Sequence, residues 1–144
     1  MGKEVFIPFG PDMRLASLEG KKGCTFRTRK LAEIGDWFKV SGRFLQAANP
    51  DTKGGYSYKI QNFTVRDVVA TIADRVAELL YVDEGFPNPQ AFRDYYIEAK
   101  NKARERWGNA PVKFRPDEKG YVHWYREHPI DPKIRVKLQA DLKW

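Results

Sequence analysis

With one cysteine, Cys24, in 144 residues, this chain can form neither an internal disulfide nor a four-cysteine zinc site. Its two histidines, His123 and His128, come without HExxH or CxxC spacing, so no metal is expected. No cofactor is implied either. No apolar run is long enough to span a bilayer, and the basic start lacks the apolar core of a signal peptide. The expectation is a soluble cytoplasmic protein without a membrane partner. Internal repeats and low-complexity tracts are also missing.

What is there reads as globular. Hydrophobic residues make up 42% and charged residues 31%, and the length suits one domain with a real core. Aromatics at 14% are enough to fill that core and still line a site. Lysine and arginine total 26 against 19 acids, a net charge of +7. A basic surface attracts polyanions, and RNA is the commonest one in the cytosol.

The pattern along the chain alternates between strand and helix periods. Residues 4–9 read as a first strand, 13–19 as a short helix stopped by Gly20, and 24–30 as a strand entered from that turn. In the latter strand Cys24 and Phe26 share one face, with Thr25, Arg27 and Arg29 on the other. Gly35-Asp36 turns into a strand over 37–45. A polar loop over 49–55 precedes β-branched and aromatic strands at 56–63 and 65–72. Residues 76–84 return to helical spacing, stopped by Gly85. Asn88 and Pro89 then form an N-cap and first helical position. Phe92, Tyr96, Ala99, Ala103 and Trp107 follow at core-facing helical spacing. Residues 121–126 read as a strand. In the tail, Ile134, Val136, Leu138, Ala140, Leu142 and Trp144 alternate with polar residues, which is a strand's period.

The stretch 18–30, LEGKKGCTFRTRK, carries the most chemistry. Lys21 and Lys22 sit on a turn, a hydroxyl follows at Thr25, and Arg27 and Arg29 share the hydroxyl's face. Lysine acts as a base when burial or cations lower its pKa, and an amine beside threonine can activate its oxygen. Arg27 could hold a phosphate or a carbonyl oxygen. The plainer alternative has two solvated lysines, a strand threonine and an arginine paired to an acid. Asp83 and Glu84 fall at a helix C-terminus, where an acid is disfavoured by roughly 0.3–1 kcal/mol and its carboxyl pKa rises. That suits proton exchange near neutrality, although spacing alone favours the plainer reading of a solvated turn before Gly85. Tyr56, Tyr58 and Phe63 are aromatic enough to stack bases or to fill a core. The basic face of the long helix, from Lys100 to Arg106, could meet phosphates, but Glu98 and Glu105 interleave there.

The segments EGKKGCTFRTRK, IGDWFKV, VAELLYVDEGF and AFRDYY, in that order, resemble the ASCH domain family, a relative of the PUA domains. The resemblance runs from about Val5 to Trp107, with 121–126 as a closing strand. It implies an α+β fold: a PUA-like β-barrel of about six strands with flanking helices. The domain spans 1–128, and 129–144 is a C-terminal extension outside the pattern, expected to pack as a strand. The family also implies RNA-linked roles. One small bacterial branch hydrolyses the acetyl amide of N4-acetylcytidine with a lysine, a threonine and a glutamate. Carried over, these fall on Lys22, Thr25 and Glu84, with Lys21, Arg27 and Arg29 as substrate or RNA contacts. The expected function is therefore binding of RNA or a modified nucleoside with hydrolysis of such an amide. A non-catalytic RNA-binding module or a ribonuclease is the alternative, because fold does not dictate chemistry. A monomer is expected, with a dimer through the tail strand as the other arrangement.

Overall fold

The computed structural model describes residues 2–45 and 56–142, with backbone alone at 43–45 and 56–58. The expected loop at 49–55, the side chains of Tyr56 and Tyr58, and Trp144 lie outside the described residues. The elements run α1 (Pro11–Leu18), β1 (Cys24–Arg27), β2 (Trp37–Leu45), β3 (Tyr56–Thr64), β4 (Asp67–Ile72), α2 (Ala73–Leu80), α3 (Pro89–Arg106), β5 (Lys119–Trp124) and α4 (Pro132–Gln139). Among the described residues no helix is long and apolar enough to cross a membrane.

Among the described residues the strands do not close into the expected barrel. They form two open antiparallel sheets, one ordered β1-β5-β4 and the other the hairpin β2-β3. Residues 4–9 supply no strand; only Glu4 bridges, in parallel, to Trp37. Pro8 and Pro11 explain why, since proline has no N–H to give to a ladder. The two sheets meet at a corner, where Val65 N donates to Asp36 O and Arg66 N to Trp124 O.

The tail is the second correction. Residues 132–139 are helical, not a strand. Asp131 caps the helix by accepting from Lys133 N at 2.9 Å, and Pro132 takes the first position. Every second member of a period-two pattern is also an i, i+4 pair, so the alternation hid a helical stripe. Ile134 and Leu138 pack on the core while Val136 is 70% exposed. The helix packs against the chain's own α2 and β4.

Two apolar clusters hold the fold. The larger joins β1, β4, β5 and the helices α2, α3 and α4 through residues such as Phe26, Val69, Leu80, Phe92 and Leu138. The smaller gathers Ile7, Leu18, Phe38, Val40, Val65 and Tyr125. A buried 2.8 Å hydrogen bond between Ser17 Oγ and Tyr125 Oη ties α1 to the end of β5.

Candidate functional site

A turn and a strand bring Lys22 and Thr25 to one wall of a cavity. Gly23 N donates to Asp83 O at 2.7 Å, and Arg126 Nε pairs with the Asp83 carboxylate at 2.7 Å. The same guanidinium donates to the carbonyls of Gly20 and Lys21. Arg126 thus clamps the lysine turn against the segment that follows α2. In that segment Gly85 takes φ +96°, which an L side chain adopts only with strain, and a Cβ there would stand 3.4 Å from Lys22 Cβ. Glu84 is thereby turned inward rather than left in solvent.

Lys22 and Glu84 are both buried. Lys22 Nζ donates to Glu84 Oε1 at 2.5 Å and to the Glu84 carbonyl at 3.1 Å. Glu84 Oε2 accepts from Phe26 N at 3.0 Å. A buried charge costs several kcal/mol unless paired and hydrogen-bonded, roughly, and here both conditions are met.

Arg27 stands beside them. Its Nε donates to Thr25 Oγ1 at 3.0 Å, a second nitrogen donates to Pro8 O, and the guanidinium lies 5.2 Å from the Phe9 ring centre. Burial lowers its pKa, with Glu84 acting in the opposite sense. Among the described residues Arg27 joins no ion pair, so its charge remains available to a ligand. Because Thr25 Oγ1 accepts from Arg27, its own hydroxyl proton is left to donate.

Lys22, Thr25, Arg27 and Glu84 line the same cavity, about 600 Å³ in volume. Such a volume suits a small-molecule site. Its opposite wall is aromatic, with Phe86 ahead of α3 and Phe92, Tyr95 and Tyr96 on it. At the far end, Glu118 accepts from Tyr96 Oη and Lys100 Nζ. Burial works to raise the Glu118 carboxyl, but these two hydrogen bonds prevail and hold it below its ordinary value. Tyr96 is driven far up by burial and then by Glu118, so it stays a phenol donor.

Two expected contacts are not brought to the cavity. The Lys21 side chain is 70% exposed beside Glu19. Arg29 is exposed, because β1 ends at Arg27 and its alternation stops there. Cys24, wholly buried, has its thiol pKa pushed up mainly by desolvation, which keeps it protonated. Phe63 packs on the smaller cluster rather than at the cavity.

Behind Thr25 lies a residue that no sequence pattern singles out for the site. His123 is fully buried and pairs with Thr25 across β1 and β5. Its Nε2 accepts from Leu31 N at 3.0 Å, so the ring proton belongs on Nδ1, which faces Thr25 O at 3.4 Å. Gly120 allows this close approach of strands; a Cβ there would fall 2.5 Å from Arg27 O. Arg126 and Glu118 are equally unmarked in sequence, since each works through a partner at least 18 positions away.

Fold and site together define an α+β chain with a charged cavity between a three-stranded sheet and a long helix. No protein-family model matches the chain, and no curated protein matches it. Its fold is similar to the crystal structure of protein EF3133 from Enterococcus faecalis V583, of the family model DUF984. The identity is 13%, the match covers 88% of this chain and 75% of that one, and the TM-score is 0.54.

Proposed function

We propose that this chain is an ASCH-type protein whose cavity binds a modified nucleoside and hydrolyses an exocyclic amide such as that of N4-acetylcytidine. The observation that carries the reading is the grouping of a buried Lys22–Glu84 pair, a hydroxyl hydrogen-bonded by Arg27, and an aromatic wall around one cavity. The aromatic wall suits a flat base. Arg27, unpaired with any carboxylate among the described residues, suits an amide oxygen that becomes negative in the transition state.

In this reading a proton passes from Lys22 Nζ to Glu84 across their 2.5 Å contact, leaving a neutral amine. The amine takes the hydroxyl proton as Thr25 Oγ1 attacks the acetyl carbon. Collapse of the tetrahedral adduct breaks the C–N bond, and the ammonium returns that proton to the departing nitrogen. Water then attacks the threonyl ester, releasing acetate and restoring the hydroxyl. The test is incubation with N4-acetylcytidine, following cytidine and acetate by chromatography. Turnover by the wild type and none by Thr25→Val is expected. An inactive wild type overturns the reading, and an active Thr25→Val removes threonine as nucleophile.

A further inference from the structure

The charged side chains that line the cavity do not balance. Lys22 is matched by Glu84, and Lys100 by Glu118. Each match is neutral as a unit, wherever the proton lies between Lys22 and Glu84. Arg27 is the surplus, lining the same cavity with no carboxylate partner among the described residues. Its Nε–H goes to Thr25 Oγ1 and one terminal N–H to Pro8 O. The other guanidinium N–H groups have no protein acceptor among the described residues. The Phe9 ring lies 5.2 Å from the Arg27 guanidinium and 5.8 Å from Lys22 Nζ, and it holds both cations by its face without neutralising either. The carboxylates are committed as well, since every oxygen of Glu84 and Glu118 already accepts a hydrogen bond. The wall around β1 therefore offers donors and one uncompensated positive charge, opposite the aromatic face of α3.

We infer that Arg27 and the Thr25 hydroxyl form a carboxylate subsite, in which the acid product of the reaction is held. The origin of that acid rests on the amidase reading, whereas the subsite itself rests on the charge balance. Breakdown of a threonyl ester creates the acid beside Thr25 Oγ1, which lies 3.0 Å from Arg27 Nε. The acid gives its proton to the Lys22 amine. The anion then meets a guanidinium whose planar fork matches its two oxygens. One negative charge completes the balance of the cavity. A doubly charged phosphate fits it less well, because Glu84 and Glu118 already bring two carboxylates to the lining and like charges repel.

The test uses the full chain, with sodium acetate as probe and acetamide as its uncharged counterpart. Acetate should bind the wild type and shift the Arg27 side-chain Nε–H resonance. The same resonances of Arg93 and Arg135, already paired to carboxylates, should stay in place. Acetamide at equal concentration should move none of them. Arg27→Met should weaken acetate binding at least about tenfold, and acetate should compete with N4-acetylcytidine in turnover. The resonance shift is read on wild-type protein, so it decides the matter even where Arg27→Met fails to fold. Acetate that leaves the Arg27 Nε–H unmoved, or that binds Arg27→Met as tightly as wild type, overturns the inference. So does dianionic phosphate held more tightly than acetate at the same place. A wild type that hydrolyses N4-acetylcytidine without inhibition by acetate removes the subsite and leaves the amidase standing. Arg27-dependent acetate binding in a wild type that hydrolyses nothing keeps the subsite and removes the amidase.

Discussion

The Lys22 ammonium and the Glu84 carboxylate meet at 2.5 Å with both side chains 3% exposed, joining the entry to β1 with the turn behind α2. Neither group can be removed alone without stranding the other's charge. Lys22→Met and Glu84→Gln should each destabilise the protein by about 3–5 kcal/mol, while the double variant recovers much of that loss. Urea denaturation of the three variants measures it. Losses that simply add would show that the pair is not coupled. The same result sets a condition on activity assays, which need variants shown to be folded.

His123 makes stability depend on pH in a defined direction. Desolvation lowers its pKa below the ordinary value near 6.5, with the Arg27 and Lys30 charges adding to the effect and the Thr25 carbonyl opposing it. The unfolded chain therefore takes up the proton first as pH falls. The stability that neutral His123 gives is complete above about pH 6.5 and is lost as pH falls through the lower folded value. Protonation also turns Nε2 into a donor facing the Leu31 N–H. Melting temperature should fall as pH drops below about 6.5, before the loss expected from Glu118, whose lowered carboxyl titrates below the ordinary carboxylate range. His123→Gln should flatten the upper window and leave the lower one. An unchanged upper window in that variant would assign the effect elsewhere.

The sequence made legible what depends on near neighbours. Asn88 caps α3 as its type and the following proline suggest, its side chain accepting from Ala91 N at 2.8 Å. The hairpin strands β2 and β3 follow their aromatic and β-branched runs. What remained hidden depends on coincidences of period or on distant partners. Ile134 and Leu138 satisfy a strand's period and a helix's alike, and only the Asp131-Pro132 start separates them. The barrel rests on family likeness, and the described strands form two open sheets instead, with residues 4–9 giving one bridge rather than a strand. At the site, Lys22 and Glu84 could be marked by motif. Their burial depends on the Arg126–Asp83 clamp, 43 positions apart in sequence.

Gly120 tests whether strand spacing controls the site. Its place on β5 lies against β1, where a Cβ would meet Arg27 O at 2.5 Å and Phe26 Cζ at 2.6 Å. The first of these is backbone and cannot swing aside. Gly120→Ala should cost about 1–3 kcal/mol by overpacking and push β1 away from β5, displacing Thr25 and Arg27 together. Urea denaturation gives the loss of stability. Amide exchange at Phe26 and Arg27 should rise more than at α3. A variant of wild-type stability would show that the strands can part without strain.

Leu138 and Val136 distinguish a helical tail from a strand by energy alone. A strand through 134–142 puts both residues on the same face, so truncating either should cost a similar amount. The helix separates them. Leu138 is fully buried against α2 and β4, and its carbonyl accepts from Thr71 Oγ1 at 2.6 Å and from Arg75 at 3.1 Å. Val136 is 70% exposed. Leu138→Ala should therefore lose about 2–5 kcal/mol through transfer and cavity terms, and Val136→Ala no more than about 0.5 kcal/mol. Asp131→Ala, which removes the cap on Lys133 N, should fall between, near 1 kcal/mol. Urea midpoints for the three variants, compared at constant slope, read the order directly. Equal losses at 136 and 138 would return the tail to a strand. A small loss at both would mean that α4 does not anchor the larger core, and Thr71 would then keep its stability without the Leu138 carbonyl.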